Sequence, residues 1–141
     1  MIDYISSLLN FFYSFADNLE NSKIAKDINR SNISIDFSSK SKQGDVSCNF
    51  YLIVKKKIAI DNYDFKKKLS NDLNKLEYIE RHEISDLGFI NIFFTKLYLN
   101  NHLKFLIEQN KKFGKSNYGN NKNLNIEFVS ANPTGPVTVA H

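Results

Sequence analysis

Tryptophan is absent from this chain of 141 residues, cysteine and methionine occur once each, and there are two prolines. A lone Cys48 excludes an intrachain disulfide and suits a reducing cytoplasm. His82, His102 and His141 show no metal-ligand spacing with cysteine or acidic residues, so no metal site is expected. No apolar run approaches the ~20 residues that a bilayer-spanning helix needs. The apolar stretch from Leu8 to Tyr13 lacks a basic segment before it and a small-residue cleavage site after it, and Asn10 interrupts it. A cytoplasmic protein without a membrane anchor is therefore expected. No internal repeat is visible.

An apolar fraction of 42% with 13% aromatics, all Phe and Tyr, is enough for a packed interior. The length suits one domain with a short extra segment, not two full domains. The abundance of Asn, Lys and Ile reads as codon bias and not as function. A net charge of +4 permits a polyanionic partner such as RNA without requiring one. Lysines bunch at Lys55-Lys56-Lys57 and Lys66-Lys67-Lys68, with a looser set at Lys111, Lys112, Lys115 and Lys122. Such runs are commonly no more than a solvated face.

Ile5, Leu8, Leu9, Phe12, Phe15, Ala16 and Leu19 recur at helical spacing and predict an amphipathic helix over residues 2–20. Ile33, Ile35 and Phe37 alternate with polar residues as in a half-buried strand, and a polar loop follows from Ser38 to Asp45. Residues 46–57 fit helix or strand on pattern, and Asp45 as an N-cap favours helix. Asp61 or Asn62 caps the next helix, with Phe65, Leu69, Leu73 and Leu76 on one face and Lys66 to Lys68 on the other. Tyr78–Ile84, a Ser85–Gly88 turn and Phe89–Phe94 read as a β-hairpin. Thr95 opens a last helix that buries Leu99, Leu103 and Leu106 and ends near Gly114. This is an α+β domain over residues 1–114, a polar linker over 115–123, and from 124 the alternation of Leu124, Ile126 and Phe128 that begins a new strand.

The last fifteen residues, from Glu127-Phe128-Val129-Ser130-Ala131-Asn132-Pro133-Thr134-Gly135-Pro136 to His141, run from this strand into a Pro/Gly loop and a histidine where a helix would begin. Polar groups at the carboxyl edge of a sheet, followed by a helix N-terminus, suit a phosphate-bearing ligand. On spacing alone an ordinary strand–loop–helix joint is the favoured reading, because short loop motifs recur by chance. The order of residues is more specific: it resembles the approach to the His-x-Gly-His motif of bacterial arginyl-tRNA synthetases, class I aminoacyl-tRNA synthetases. Gly44-Asp45 with Asn49 is similar to a Gly-Asp-Tyr-x-x-Asn stretch of that family. Leu87-Gly88-Phe89-Ile90-Asn91-Ile92-Phe93-Phe94 resembles its Pro-Gly-Phe-Ile-Asn-Phe hairpin, and Phe113-Gly114-Lys115-Ser116-Asn117-Tyr118-Gly119 its Tyr-Gly-x-Ser linker.

The resemblance implies an N-terminal domain, a small antiparallel sheet with packed helices, that binds the outer corner of tRNA and reads its D-loop. Behind it, at 124–141, would come the incomplete start of a Rossmann-like catalytic domain. The parent activity implied is an ATP-dependent, AMP-forming arginine–tRNA ligase. Its partners would be tRNA(Arg), arginine, and ATP with Mg2+, and a monomer is expected. Carried over by position, Glu127 and Asn132 fall at arginine-binding positions with Ser130 close by, a carboxylate being the natural partner of a guanidinium. His141 falls at the second histidine of the motif, which stabilises charge on the ATP phosphates. Thr138 stands where the family has its first histidine, and Ala140 where it has glycine, so both face the ATP site. Thr138 donates one hydrogen bond but carries no charge; one such donor is worth about 2.7–4 kcal/mol in the transition state. Lys40, Lys42, Lys66, Lys67, Lys68 and Asn91 are the expected tRNA contacts. The 141 residues alone are expected to be inactive. Other readings are a free-standing RNA-binding module, with Tyr63 or Tyr118 stacking on a base, and a decayed gene fragment.

Overall fold

A computed structural model describes residues 4–38, 44–127 and 135. In chain order the elements are α1 (Tyr4–Asn21), β1 (Ile35–Phe37), β2 (Val46–Cys48), α2 (Phe50–Val54), α3 (Asn62–Leu73), β3 (Ile79–Ile84), β4 (Ile90–Phe94) and α4 (Lys96–Gln109). Single 3-10 turns at Arg30–Asn32 and Asn110–Lys112 complete them. The chain divides into two compact units, Met1–Lys104 and Phe105–His141.

In the first unit the strands form one antiparallel sheet in the order β1-β2-β4-β3. Because side chains alternate along a strand, the register assigns each residue to a face. Val46, Cys48, Ile90, Ile92 and Phe94 point inward and are buried, together with Leu8, Phe12, Phe15, Ala16 and Leu19 of α1, Phe50, Tyr51 and Val54 of α2, and Phe65, Leu69 and Leu73 of α3. The helices thus cover one face of the sheet. Phenylalanines supply the bulk that tryptophan does not. Phe12 lies 5.1 Å from Phe50, and Phe15 meets Phe50 and Phe65 edge-on, in geometries that favour the ring quadrupoles. Burial pushes the Cys48 thiol up to about 12, so it is an inert core residue.

The helices at 4–21 and 62–73 and the hairpin lie where the sequence predicts them. Asp61 caps α3 by accepting the Tyr63 N–H at 2.7 Å. Thr95 Oγ1 accepts from Tyr98 N at the start of α4. Three expectations are corrected. Residues 46–57 are not one helix: β2 comes first and Asn49 leads into a single short helix, α2. Asp45 caps nothing; its N–H donates to Ile92 O at 2.9 Å, and its carboxylate accepts the Phe94 N–H at 2.7 Å. In α4 the leucines at 99 and 103 are exposed, and the buried residue is Tyr98, packed on Phe94 with ring centroids 4.8 Å apart. Residues 122–127 pair with no strand among the described residues, and Phe128 lies outside them. Gly114, expected near the end of α4, has φ +81°, but α4 stops earlier, where Asn110 takes φ +44°.

Gly44 permits the Asp45 contact. Its φ is +89°, and a Cβ there would stand 2.7 Å from Ile92 O, so the backbone passes directly against β4. Asp45→Ala leaves the half-buried Phe94 N–H without an acceptor and is expected to lower unfolding free energy by about 1–3 kcal/mol in urea titration. Asp45→Asn, which keeps a carbonyl acceptor, should lose less.

His82, opposite Ile92 in the register, turns to the helical side, where Nε2 lies 3.0 Å from Ser70 Oγ and Nδ1 is buried with no hydrogen-bond partner among the described residues. Burial holds the ring's pKa below the ordinary imidazole value. The unfolded chain therefore takes up this proton first as pH falls. The neutral ring favours the fold fully above about pH 6.5, and stability declines from there down to the lower native value. Thermal midpoints should fall between pH 7.5 and pH 5.5, and His82→Gln should shrink that fall.

Candidate nucleic-acid interface

The sheet face away from the helices carries Asp36, Ser47, Asn91 and Glu83, aligned across the strands by the pairs Asp36–Ser47, Ser47–Asn91 and Glu83–Asn91. Beside them Arg81 lies with its guanidinium 3.3 Å from the centre of the Phe93 ring and pairs with Glu83. At the centre, Ser47 Oγ donates to Asn91 Oδ1 at 3.0 Å. That bond orients the amide and leaves its Nδ2 donors without a recorded partner among the described residues.

Asn91 lines a cleft of about 360 Å³ with Phe37, Ser38, Ser47, Ser85, Leu87 and Phe89, near the lower end of small-ligand pocket sizes. Its wall is the β3–β4 turn, which is tightly built. Ser85 N donates to Phe89 O at 2.8 Å, Phe89 N to Ser85 Oγ at 3.0 Å, and Gly88 N to Ser85 O at 2.9 Å. Gly88, at φ +100°, brings the turn against Leu52 of α2, and Lys55 Nζ donates to Leu87 O at 2.9 Å. Leu87 is exposed by 72% and Phe89 by 37%, an apolar rim beside fixed polar groups. An aromatic edge with an oriented amide is the chemistry that takes up an unstacked base.

The structure separates the expected contacts. Lys66 and Lys68 of α3 lie over the Tyr51 and Phe15 rings, at 5.2 and 6.0 Å from their centres, on the helical layer and not beside Asn91. Lys67 is exposed. Lys40 and Lys42 lie outside the described residues, as do Ser130, Asn132, Thr138, Ala140 and His141. Glu127 is described and exposed. Tyr63 and Tyr118 are exposed, Tyr118 beneath Lys122 with its Nζ 3.6 Å from the ring centre. Sequence reasoning did not single out Ser47 or Phe89, both of which line the cleft. The polar residue between Val46 and Cys48 was the available signal, and reading that segment as helix hid it. Among the described residues no three His, Cys, Asp or Glu side chains gather as a metal-binding group, and no helix is long and apolar enough to cross a membrane.

An open-faced antiparallel sheet over a helical layer, with this cleft on the free face, is an α+β architecture. The chain belongs to the arginyl-tRNA synthetase N-terminal domain family: the family described as "Arginyl tRNA synthetase N terminal domain" matches residues 13–94, which end at the last residue of β4. The arginine–tRNA ligase of Nitrosospira multiformis is 34% identical over 134 residues, covering 94% of this chain and 23% of that protein. That of Bartonella tribocorum is 31% identical over 141 residues, covering 94% and 24%. That of Rickettsia bellii is 36% identical over 108 residues, covering 77% and 19%. The chain spans about a quarter of the length of the first two of these relatives.

Proposed function

We propose that this chain is the tRNA-reading N-terminal part of an arginine–tRNA ligase, and that the cleft around Asn91 holds an unstacked base from the outer corner of tRNA(Arg). The observation that carries this reading is the Ser47–Asn91 bond, which aims an amide into a cleft with an aromatic rim. An amide so held can donate to one base atom, and Phe89 supplies the ring surface on which a base stacks. On the same reading Glu127, Ser130 and Asn132 belong to the arginine site, and Thr138, Ala140 and His141 to the ATP site, of the complete enzyme. That enzyme would activate arginine with ATP and pass it to tRNA. The domain would extend to about residue 114 and the linker to 123. These 141 residues alone would bind tRNA and not charge it.

Fluorescence anisotropy with a labelled tRNA(Arg) transcript tests the cleft. Phe89→Ala removes a stacking surface worth about 1–3 kcal/mol and is expected to weaken binding roughly 5- to 150-fold. Asn91→Ala should weaken binding while leaving the thermal midpoint nearly unchanged. Equal affinity for both variants and the unmodified chain would reject the cleft.

Lys66, Lys67 and Lys68 form a second proposed contact, with the phosphate backbone. Replacing the three by Gln should reduce the slope of log affinity against log salt. An unchanged slope removes that helix face from the interface.

A further inference from the structure

A second groove, of about 640 Å³, lies where the chain leaves α1 and where it passes from α2 toward α3. Its frame is an isolated antiparallel bridge between Ala25 and Ile58, closed by Ala59 N donating to Ile24 O at 2.7 Å. Each limb of the bridge carries two lysines: Lys23 and Lys26 flank Ala25, and Lys56 and Lys57 precede Ile58. All four are exposed. The bridge therefore brings together cations from two segments that are far apart in sequence.

The acids nearby are largely committed. The Glu20 carboxylate accepts from Arg30 Nη2 at 2.6 Å and from Ile28 N at 2.8 Å, and these bonds hold its pKa below the usual carboxylate value. Asp17 is paired with the same Arg30. Lys57 Nζ donates to the main-chain oxygen of Asp27, a bond that positions the ammonium without cancelling its charge. Even with Arg30 and Asp17 counted, five cations face three carboxylates. Among the described residues no aromatic ring lines the groove. Its chemistry suits a phosphodiester chain and not a base.

We infer that this groove is a phosphate-binding track for an RNA strand, separate from the Asn91 cleft, in which Lys23, Lys26, Lys56 and Lys57 contact the backbone. The inference rests on the tRNA-binding reading above. It adds the site that supplies salt-dependent affinity.

The test is anisotropy of the 141-residue chain with labelled tRNA(Arg) over a series of KCl concentrations. The variant is Lys23→Gln/Lys26→Gln/Lys56→Gln, which spares Lys57 because of its main-chain bond. Circular dichroism checks that the variant is folded. Each phosphate contact adds about 0.7–0.9 to the slope of log affinity against log salt, so the triple variant should lose about 2–3 of it. A matched set on other surfaces, Lys75→Gln/Lys96→Gln/Lys104→Gln, should lose much less. Equal losses in the two sets would mark a diffuse field and overturn the groove. An unchanged slope in the groove variant, with Asn91→Ala still weakening binding, would overturn the groove and leave the cleft reading standing. No tRNA binding by the unmodified chain would overturn both.

Discussion

The hold of Gly44 and Asp45 on β4 is the constraint on which both faces of the sheet depend. β4 has β2 on one side and β3 on the other. Its pairing with β2 covers only Val46 to Cys48 against Ile90 to Ile92. A ladder so short specifies register weakly by itself. Asp45 lengthens it at one end with a main-chain bond to Ile92 O and a carboxylate bond from Phe94 N, and only a glycine at 44 lets the backbone come that close. A slip of one residue would turn Ile90 and Ile92 to water and Asn91 into the core. One pair of residues thus secures the packed side and the free side together.

The same logic extends to Asn49. Its Oδ1 accepts from Ser34 N and its Nδ2 donates to Asn32 O, both at 2.9 Å, so it fastens the entry to β1 onto the start of α2. Gly44, Asp45 and Asn49, which carry part of the resemblance to the synthetase family, are therefore architectural. Their side chains or backbone are spent on neighbouring peptide groups. Residues free to recognise a partner must be sought elsewhere, in Asn91 with its unshared Nδ2 and in the lysines around the Ala25–Ile58 bridge.

Elements whose signal is local were legible in the sequence. The apolar period of α1, the Asp61 cap of α3 and the Ser85–Gly88 turn each lie within a few residues and need no distant partner. The segment after Gly44 was misread for the opposite reason. Asp45 has the side chain of an N-cap, and Phe50 to Val54 do form helical turns, so local preference favours helix from 46 onward. What makes Val46–Cys48 a strand is a neighbour more than forty residues later, a tertiary override that periodicity does not show. α4 was misjudged in another way. Leucine spacing predicted its buried face, yet it is the ring of Tyr98 that reaches Phe94 and Tyr78, while Leu99 and Leu103 stay exposed. Asn91 was found through its hairpin motif, but its partner Ser47 depends on cross-strand register, and the lysine groove depends on a bridge between α1's exit and the α2–α3 connection. Neither is visible in one dimension.

Magnitudes argue that one base cleft is not a sufficient binding site. A stacked base contributes about 1–3 kcal/mol, and the single hydrogen bond left to the Asn91 amide about 0.5–1.5 kcal/mol more. Association itself costs an estimated 4–15 kcal/mol before any net affinity appears. A cleft of this kind discriminates among bases but leaves little over for holding the strand. Phosphate contacts carry no sequence information, yet they supply affinity and register on a folded RNA. The two features divide along that line: a cleft lined by uncharged residues suited to selection on the sheet's free face, and exposed ammonium groups suited to retention at the groove. The groove is framed by main-chain bonds between α1's exit and the α2–α3 connection, so its lysines are brought together by the backbone and not by their own side-chain contacts.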